Sequence, residues 1–105
     1  MCGRFSLGAD AATLASQFDL FEAPPWTPRY NIAPTRAVPT LLRPAPDSDR
    51  QFRLLPWGLI PSWAEDPRIG FRLINARAET VAPKPAFHHA FRERRCLVLA
   101  DGFYE

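Results

Sequence analysis

The sequence predicts an α+β fold in which short strands and irregular loops dominate. Three observations carry that expectation. Apolar or alternating stretches of strand type recur along the chain, separated by turn residues. Only two stretches have helical spacing. Proline makes up 12 of the 105 residues, about twice the usual share of ~5%. The prolines are scattered among apolar segments, which marks a compact, loop-rich fold rather than a disordered tail. At 105 residues the chain is one domain at most, and 47% hydrophobic residues with 12% aromatics can build a core.

Taken in order, residues 2–7 are expected to form a short strand that carries Cys2 into the fold. Asp10 is placed to cap a helix running to about Phe18, with Ala12, Leu14, Ala15 and Phe18 near one face. Residues 23–28 are a proline-rich loop, and residues 29–34 an extended loop stopped by Pro34. Residues 38–42 have strand character. Residues 44–49, polar and proline-containing, form a hairpin loop, and residues 51–57 return as a second strand. On that strand Phe52 and Leu54 face away from Arg53 and Leu55. Residues 57–63, Trp-Gly-Leu-Ile-Pro-Ser-Trp, predict turns that carry large aromatics. Residues 71–76 are a short strand or extended run. Residues 85–94 are helical, with Ala86, His89, Ala90 and Glu93 at helical spacing. Residues 96–100, Cys-Leu-Val-Leu-Ala, have the composition of a buried strand. Asp101-Gly102 predicts a hairpin turn, and Phe103-Tyr104-Glu105 begins its second arm, which has barely started at Glu105.

Composition narrows the function classes. No apolar run approaches the roughly 20 residues that span a bilayer. No basic segment followed by an apolar stretch marks a secretory leader. The expected location is therefore the cytoplasm, or the nucleoid of a bacterium. Two cysteines, Cys2 and Cys96, are too few for a disulfide scaffold and are expected to be free thiols. The net charge of +2 says little, but Lys84 is the single Lys among 13 cationic residues and the rest are Arg. Arg binds phosphate in bidentate fashion and stacks on flat groups, which suits nucleic acid. A GC-rich genome would produce the same bias. His88 and His89 match no zinc spacing and point about 100° apart on a helix, so no metal site is expected. No cofactor is expected either.

Cys2 is the residue with the most distinctive chemistry. It follows Met1 directly, and its small size permits removal of Met1 by an aminopeptidase. The product would carry a free α-amine beside a thiol. That pair condenses with an aldehyde to an imine and then closes to a stable thiazolidine, which an internal cysteine cannot do. A free thiol titrates near about 8.5 and an α-amine near about 8, so both kinds of group are partly deprotonated around neutrality. Arg4 nearby would favour the thiolate.

Four segments, in order, carry a resemblance. They are Met1-Cys2-Gly3-Arg4-Phe5, Arg29-Tyr30-Asn31-Ile32-Ala33-Pro34, Ile74-Asn75-Ala76-Arg77-Ala78-Glu79-Thr80, and the stretch from Arg95-Cys96 through Asp101-Gly102-Phe103-Tyr104-Glu105. Trp57-Gly58-Leu59-Ile60-Pro61 also fits. Together they resemble the SRAP family, the SOS-response-associated peptidase-like proteins that process abasic sites in DNA. The resemblance runs from the first residue to the last and corresponds to the N-terminal half of an SRAP domain. It implies an antiparallel, barrel-like mixed sheet with short helices. The family's later strands, with a His in a His-x-Arg-Met-Pro-type motif, have no counterpart in residues 1–105, so the expected fold is a truncated one.

The resemblance also implies roles. Cys2 matches the nucleophile that captures the aldehyde of a ring-opened abasic deoxyribose in single-stranded DNA. Asn75 matches an active-site Asn that orients the sugar or the Cys2 amine. Glu105 matches a catalytic Glu able to shuttle the protons of imine chemistry. Arg4 and Arg77 match contacts to the DNA backbone. Trp57 and Trp63 are candidates for stacking on bases, although core packing is the expected fate of both. The implied partner is single-stranded DNA containing abasic sites, joined by the missing half of the domain. Crosslink reversal and strand scission through the same imine are side activities to expect. The rival readings are a thiol (auto)peptidase using Cys2, Asn75 and Glu105, a non-covalent single-stranded-DNA module, and a half-domain without activity.

Overall fold

The computed structural model describes residues 2–105, so the expected removal of Met1 lies outside the described residues. The elements run β1 (Arg4–Leu7), α1 (Ala11–Gln17), β2 (Arg29–Ile32), β3 (Ala37–Leu42), β4 (Gln51–Pro56), a 3-10 helix (Pro67–Phe71), α2 (His88–Glu93), β5 (Leu97–Val98) and β6 (Gly102–Tyr104). The mixed α/β class is as expected. The strands form two small antiparallel sheets, ordered β2-β1-β6 and β4-β3-β5. The expected barrel is not seen among the described residues, because no ladder joins one sheet to the other.

Local chemistry explains the best-formed elements. Asp10 is the N-cap of α1, and its carboxylate accepts the Thr13 backbone N–H at 2.8 Å. That bond holds the Asp10 carboxyl below its ordinary value. Leu14 is the residue α1 buries, while Ala12, expected on the inner face, is exposed. The β3–β4 hairpin keeps an unbroken register from Ala37 opposite Pro56 to Leu42 opposite Gln51. Its loop is tied by Ser48, whose hydroxyl donates to the Ala45 carbonyl and accepts the Ala45 N–H. Thr40, buried in β3, donates its hydroxyl to the Arg53 carbonyl at 2.7 Å, so its polar atom is satisfied.

The core is one cluster drawn from both sheets and α1. Phe5, Leu7 and Ile32 come from the first sheet, Val38 and Leu41 from the second, and Leu14, Trp26 and Leu99 complete it. Trp26, in the proline-rich loop, closes one side with Phe52 packed at a tilt against it. The surface that remains is large. The chain exposes 7582 Å², whereas a compact monomer of 11.9 kDa exposes ~5,900 Å². Leu97, Val98, Phe103 and Tyr104 are all more than half exposed.

Several expectations from sequence are corrected. Residues 29–32 are a strand, not a loop, because β1 offers them a partner. Residues 71–76 form no ladder: Phe71 ends the 3-10 helix, and the segment that follows is irregular. The second helix starts at His88, after a run of turns. The apolar run 96–100 is not a buried strand, since only Leu99 is buried and β5 is an exposed edge. Asp101-Gly102 does not close a hairpin. It is the corner at which the chain leaves the second sheet, and β6 joins β1 in the first. The corner is fixed by the Asp101 N–H donating to Ser6 O at 2.7 Å and by the Asp101 carboxylate accepting the Gly8 N–H.

Candidate functional site

Three distant segments meet at the N-terminus of the described chain. The Asn75 side-chain amide donates to the Cys2 carbonyl oxygen at 2.8 Å, across 73 positions of sequence. Both residues are partly buried. Asn75 therefore fixes the backbone of Cys2 directly. The thiol lies 3.7 Å from the Arg4 carbonyl oxygen, at the start of β1.

Asn75 is in turn positioned by Trp57. The Trp57 indole N–H donates to the Ile74 carbonyl at 2.8 Å, and its ring meets Phe5 edge-on with centroids 5.4 Å apart. Phe5 sits in β1, three residues after Cys2. Trp57 thus joins the Asn75 segment to β1, which begins two residues after Cys2. Its own backbone is anchored to the β2–β3 turn, accepting from Thr35 and donating to Arg36, both at 3.0 Å. Gly58 follows at φ +134°. A Cβ there would collide with the Gly70 carbonyl oxygen, so only glycine lets the two loops touch. Trp57 is half-buried as expected from core packing, but Trp63 is 59% exposed.

The other expected residues are placed less tightly. Arg4 is exposed, and its guanidinium donates to the Asn31 side-chain oxygen at 3.2 Å. Arg77 is exposed in the loop after Asn75. Glu105 is exposed and lies one residue beyond the Arg4–Tyr104 pair. Carried one residue past the ladder, that antiparallel register runs toward Gly3, next to Cys2 in sequence. Tyr104 supports this end of β6 by donating its hydroxyl to Tyr30 O at 2.6 Å. Among the described residues no cluster of His, Cys, Asp or Glu could hold a metal.

Cys2 opens onto an apolar cleft of about 640 Å³ between the two sheets. Phe5 and Phe103 line it from one side and Val38, Leu55 and Val98 from the other, with Trp57 at its wall. Arg94 and Cys96 also border it. Burial pushes the Cys96 thiol above its ordinary value, which disfavours its thiolate. Sequence reading missed Asn31 and Cys96 as parts of this site. Both lay within segments already singled out, but nothing local marks Cys96 as a neighbour of the cleft.

A cysteine near the start of the chain is thus held through its carbonyl by an asparagine from a distant loop, at the mouth of a cleft. The chain belongs to the family described as SOS response associated peptidase (SRAP), which matches residues 1–105. It is 42% identical over 108 residues to the abasic site processing protein YoaM of Bacillus subtilis (strain 168), covering 100% of this chain and 47% of that protein. It is 40% identical over 108 residues to YobE, an abasic site processing protein of the same organism, covering 100% of this chain and 48% of that one. The abasic site processing protein HMCES of Rattus norvegicus is 38% identical over 127 residues, with 100% of this chain and 36% of the relative covered. The chain thus spans about half the length of the bacterial relatives it matches. No helix among the described residues is long and apolar enough to cross a membrane.

Proposed function

We propose that this chain carries the capture site of an abasic-site processing protein and forms the N-terminal part of a single SRAP domain. The observation that carries the proposal is the Asn75–Cys2 hydrogen bond. It holds the one residue able to present an amine and a thiol together, and the abasic-site role of the relatives names an aldehyde for that pair to meet.

The chemistry runs in two steps once Met1 is gone. The Cys2 amine adds to the C1′ aldehyde of ring-opened deoxyribose, and the carbinolamine loses one water to give an imine. The Cys2 sulfur then adds to the imine carbon, forming the C–S bond, and the thiol proton ends on the ring nitrogen. The thiazolidine seals the lesion. Asn75 restrains the Cys2 backbone, so that amine and thiol are offered in one orientation, which lowers the entropic barrier to ring closure. Glu105, one residue beyond the Arg4–Tyr104 pair, relays protons to and from the carbinolamine and the imine. Arg4 and Arg77 receive the flanking phosphates, and the exposed Trp63 ring offers a face for a base to stack on. Extrusion of an abasic sugar needs no unpairing of a base, and a single strand is the easiest substrate to seat. The same imine opens a lyase route, because loss of the C2′ proton expels the 3′ phosphate. The place of action is the DNA itself, the nucleoid in a bacterial cell.

The test is incubation with single-stranded DNA bearing one abasic site, followed by a denaturing gel. An adduct that survives heat and detergent, and is absent with Cys2→Ala and with undamaged DNA, is expected. An adduct of equal yield from Cys2→Ala would overturn the proposal.

A further inference from the structure

Three arginines form a row across the open end of the second sheet. The β3–β4 ladder ends with Leu42 opposite Gln51, and β3 pairs Leu41 with Leu97 of β5. Carried on by one and two residues, these registers set Arg43 opposite both Arg50 and Arg95. The three side chains line one groove of about 470 Å³, and all three residues are exposed. Neighbouring strands lie about 4.8 Å apart, and like charges directly opposite each other destabilise a sheet.

The row is not neutralised from within. Among the described residues the one ion pair joins Arg68 to Asp66. Asp19 and Asp49 border an adjoining groove that Arg43 and Arg50 share, yet neither is in ion-pair contact with them. Two of the arginines are steadied at a single point. Arg50 donates to the Phe18 carbonyl at 2.9 Å, and the Arg95 guanidinium lies 4.7 Å over the Phe91 ring. An arginine has five N–H donors, so most remain unused. Three aligned forks without a carboxylate fit the geometry of successive phosphate groups.

We propose that Arg43, Arg50 and Arg95 bind the phosphodiester backbone of a DNA strand running on from the Cys2 cleft. Cys96 borders both the arginine groove and the cleft, so a strand seated at one continues into the other. The identity of the polyanion rests on the abasic-site reading; the anion site itself rests on the arginine row. Its part is to set the register of the strand and lengthen its stay, not to take part in the chemistry at Cys2.

The test is the salt dependence of binding to an undamaged single-stranded oligonucleotide long enough to span both grooves, read by fluorescence anisotropy. Each phosphate contact on a single strand contributes about 0.7 to the slope of log K against log salt, so the triple Arg→Gln variant at 43, 50 and 95 should lose about 2 from that slope. That is about a hundredfold smaller loss of affinity per tenfold rise in salt. The triple Arg→Lys variant should keep the slope. The double variant Arg43→Gln/Arg95→Gln, which leaves the Arg50–Phe18 bond intact, should lose about two-thirds of the triple effect. Melting curves establish that each variant is folded. An unchanged slope in the Gln variants overturns the proposal, as does an equal loss in the Lys variant. Binding of inorganic phosphate or an acidic peptide without binding of the oligonucleotide overturns it too. Capture of a short abasic oligonucleotide that fills the cleft alone is measured in parallel. Loss of that capture with the slope effect intact refutes the Cys2 chemistry and leaves the groove standing.

Discussion

At Cys2 the useful constraint is on the backbone, not on the thiol. The Asn75 amide holds the Cys2 carbonyl, and a neutral amide does this without taking up a proton at any working pH. Asn75→Ala should slow adduct formation about 10- to 100-fold, because a misplaced reacting group loses the advantage of orientation. The rate is read by quenched time points with an abasic oligonucleotide, and Asn75→Asp should not restore it, since an ionised carboxylate cannot donate. Cys96 supplies the contrast. It borders the same cleft, but burial raises its thiol above the ordinary value. Its thiolate is therefore disfavoured, and it should alkylate more slowly than a thiol of ordinary pKa. Cys96→Ala should leave the adduct yield unchanged. These residue roles were legible in part. The ordered motifs singled out Cys2 and Asn75, but not the bond between them, which spans 73 positions.

Elements whose determinants are local were legible in the sequence, and those fixed by distant partners were not. Asp10 caps α1 as its position predicts, because the acceptor and the Thr13 N–H lie within one turn. The Asp-Gly pair at 101–102 predicted a hairpin, but the chain turns there without closing one. The pair could not say which strand would follow, because the deciding bonds reach back to Ser6 and Gly8. Likewise the composition of residues 96–100 predicted burial, but a strand is buried only if something covers it. The Asp10 cap carries a pH signature. Its carboxyl is held below the ordinary value by the Thr13 N–H. A depressed carboxyl stabilises above its unfolded pKa of about 4, and that contribution is lost as pH falls through the lowered folded value. Asp10→Asn keeps the acceptor, so it should flatten this acid limb in melting curves recorded between neutral and acid pH. Gly58 sets the other element-scale constraint. Gly58→Ala must adopt a φ of +134° against the Gly70 carbonyl. It should cost more than about 1 kcal/mol in denaturant titration and, by releasing Trp57, should also slow capture.

The whole molecule has more surface than its mass requires. An exposure of 7582 Å² against ~5,900 Å² for a compact chain leaves a large excess. The bare edge strands β5 and β6, with Leu97, Val98, Phe103 and Tyr104 exposed, are part of where it lies. Exposed apolar area of this extent binds hydrophobic dyes. The isolated chain should therefore enhance the fluorescence of such a dye at neutral pH in its folded state. Adding the polypeptide that corresponds to the remaining length of its relatives should suppress that signal and raise the melting temperature. The fold class was legible here from the proline distribution and strand spacing. The division into two separate sheets was not, because closure depends on contacts that no local pattern encodes.

Capture of an abasic aldehyde by Cys2 with its amine and thiol together leaves a signature in mass. The most direct test is the intact mass of the adduct formed with an abasic single strand, taken after borohydride treatment. The expected species equals the chain without Met1 plus the oligonucleotide, less one water, is unreduced by borohydride and is absent for Cys2→Ala. A mass increased by two hydrogens would mean that the reaction stops at the imine. No adduct from a chain shown by the same spectrum to lack Met1 would contradict the claim outright.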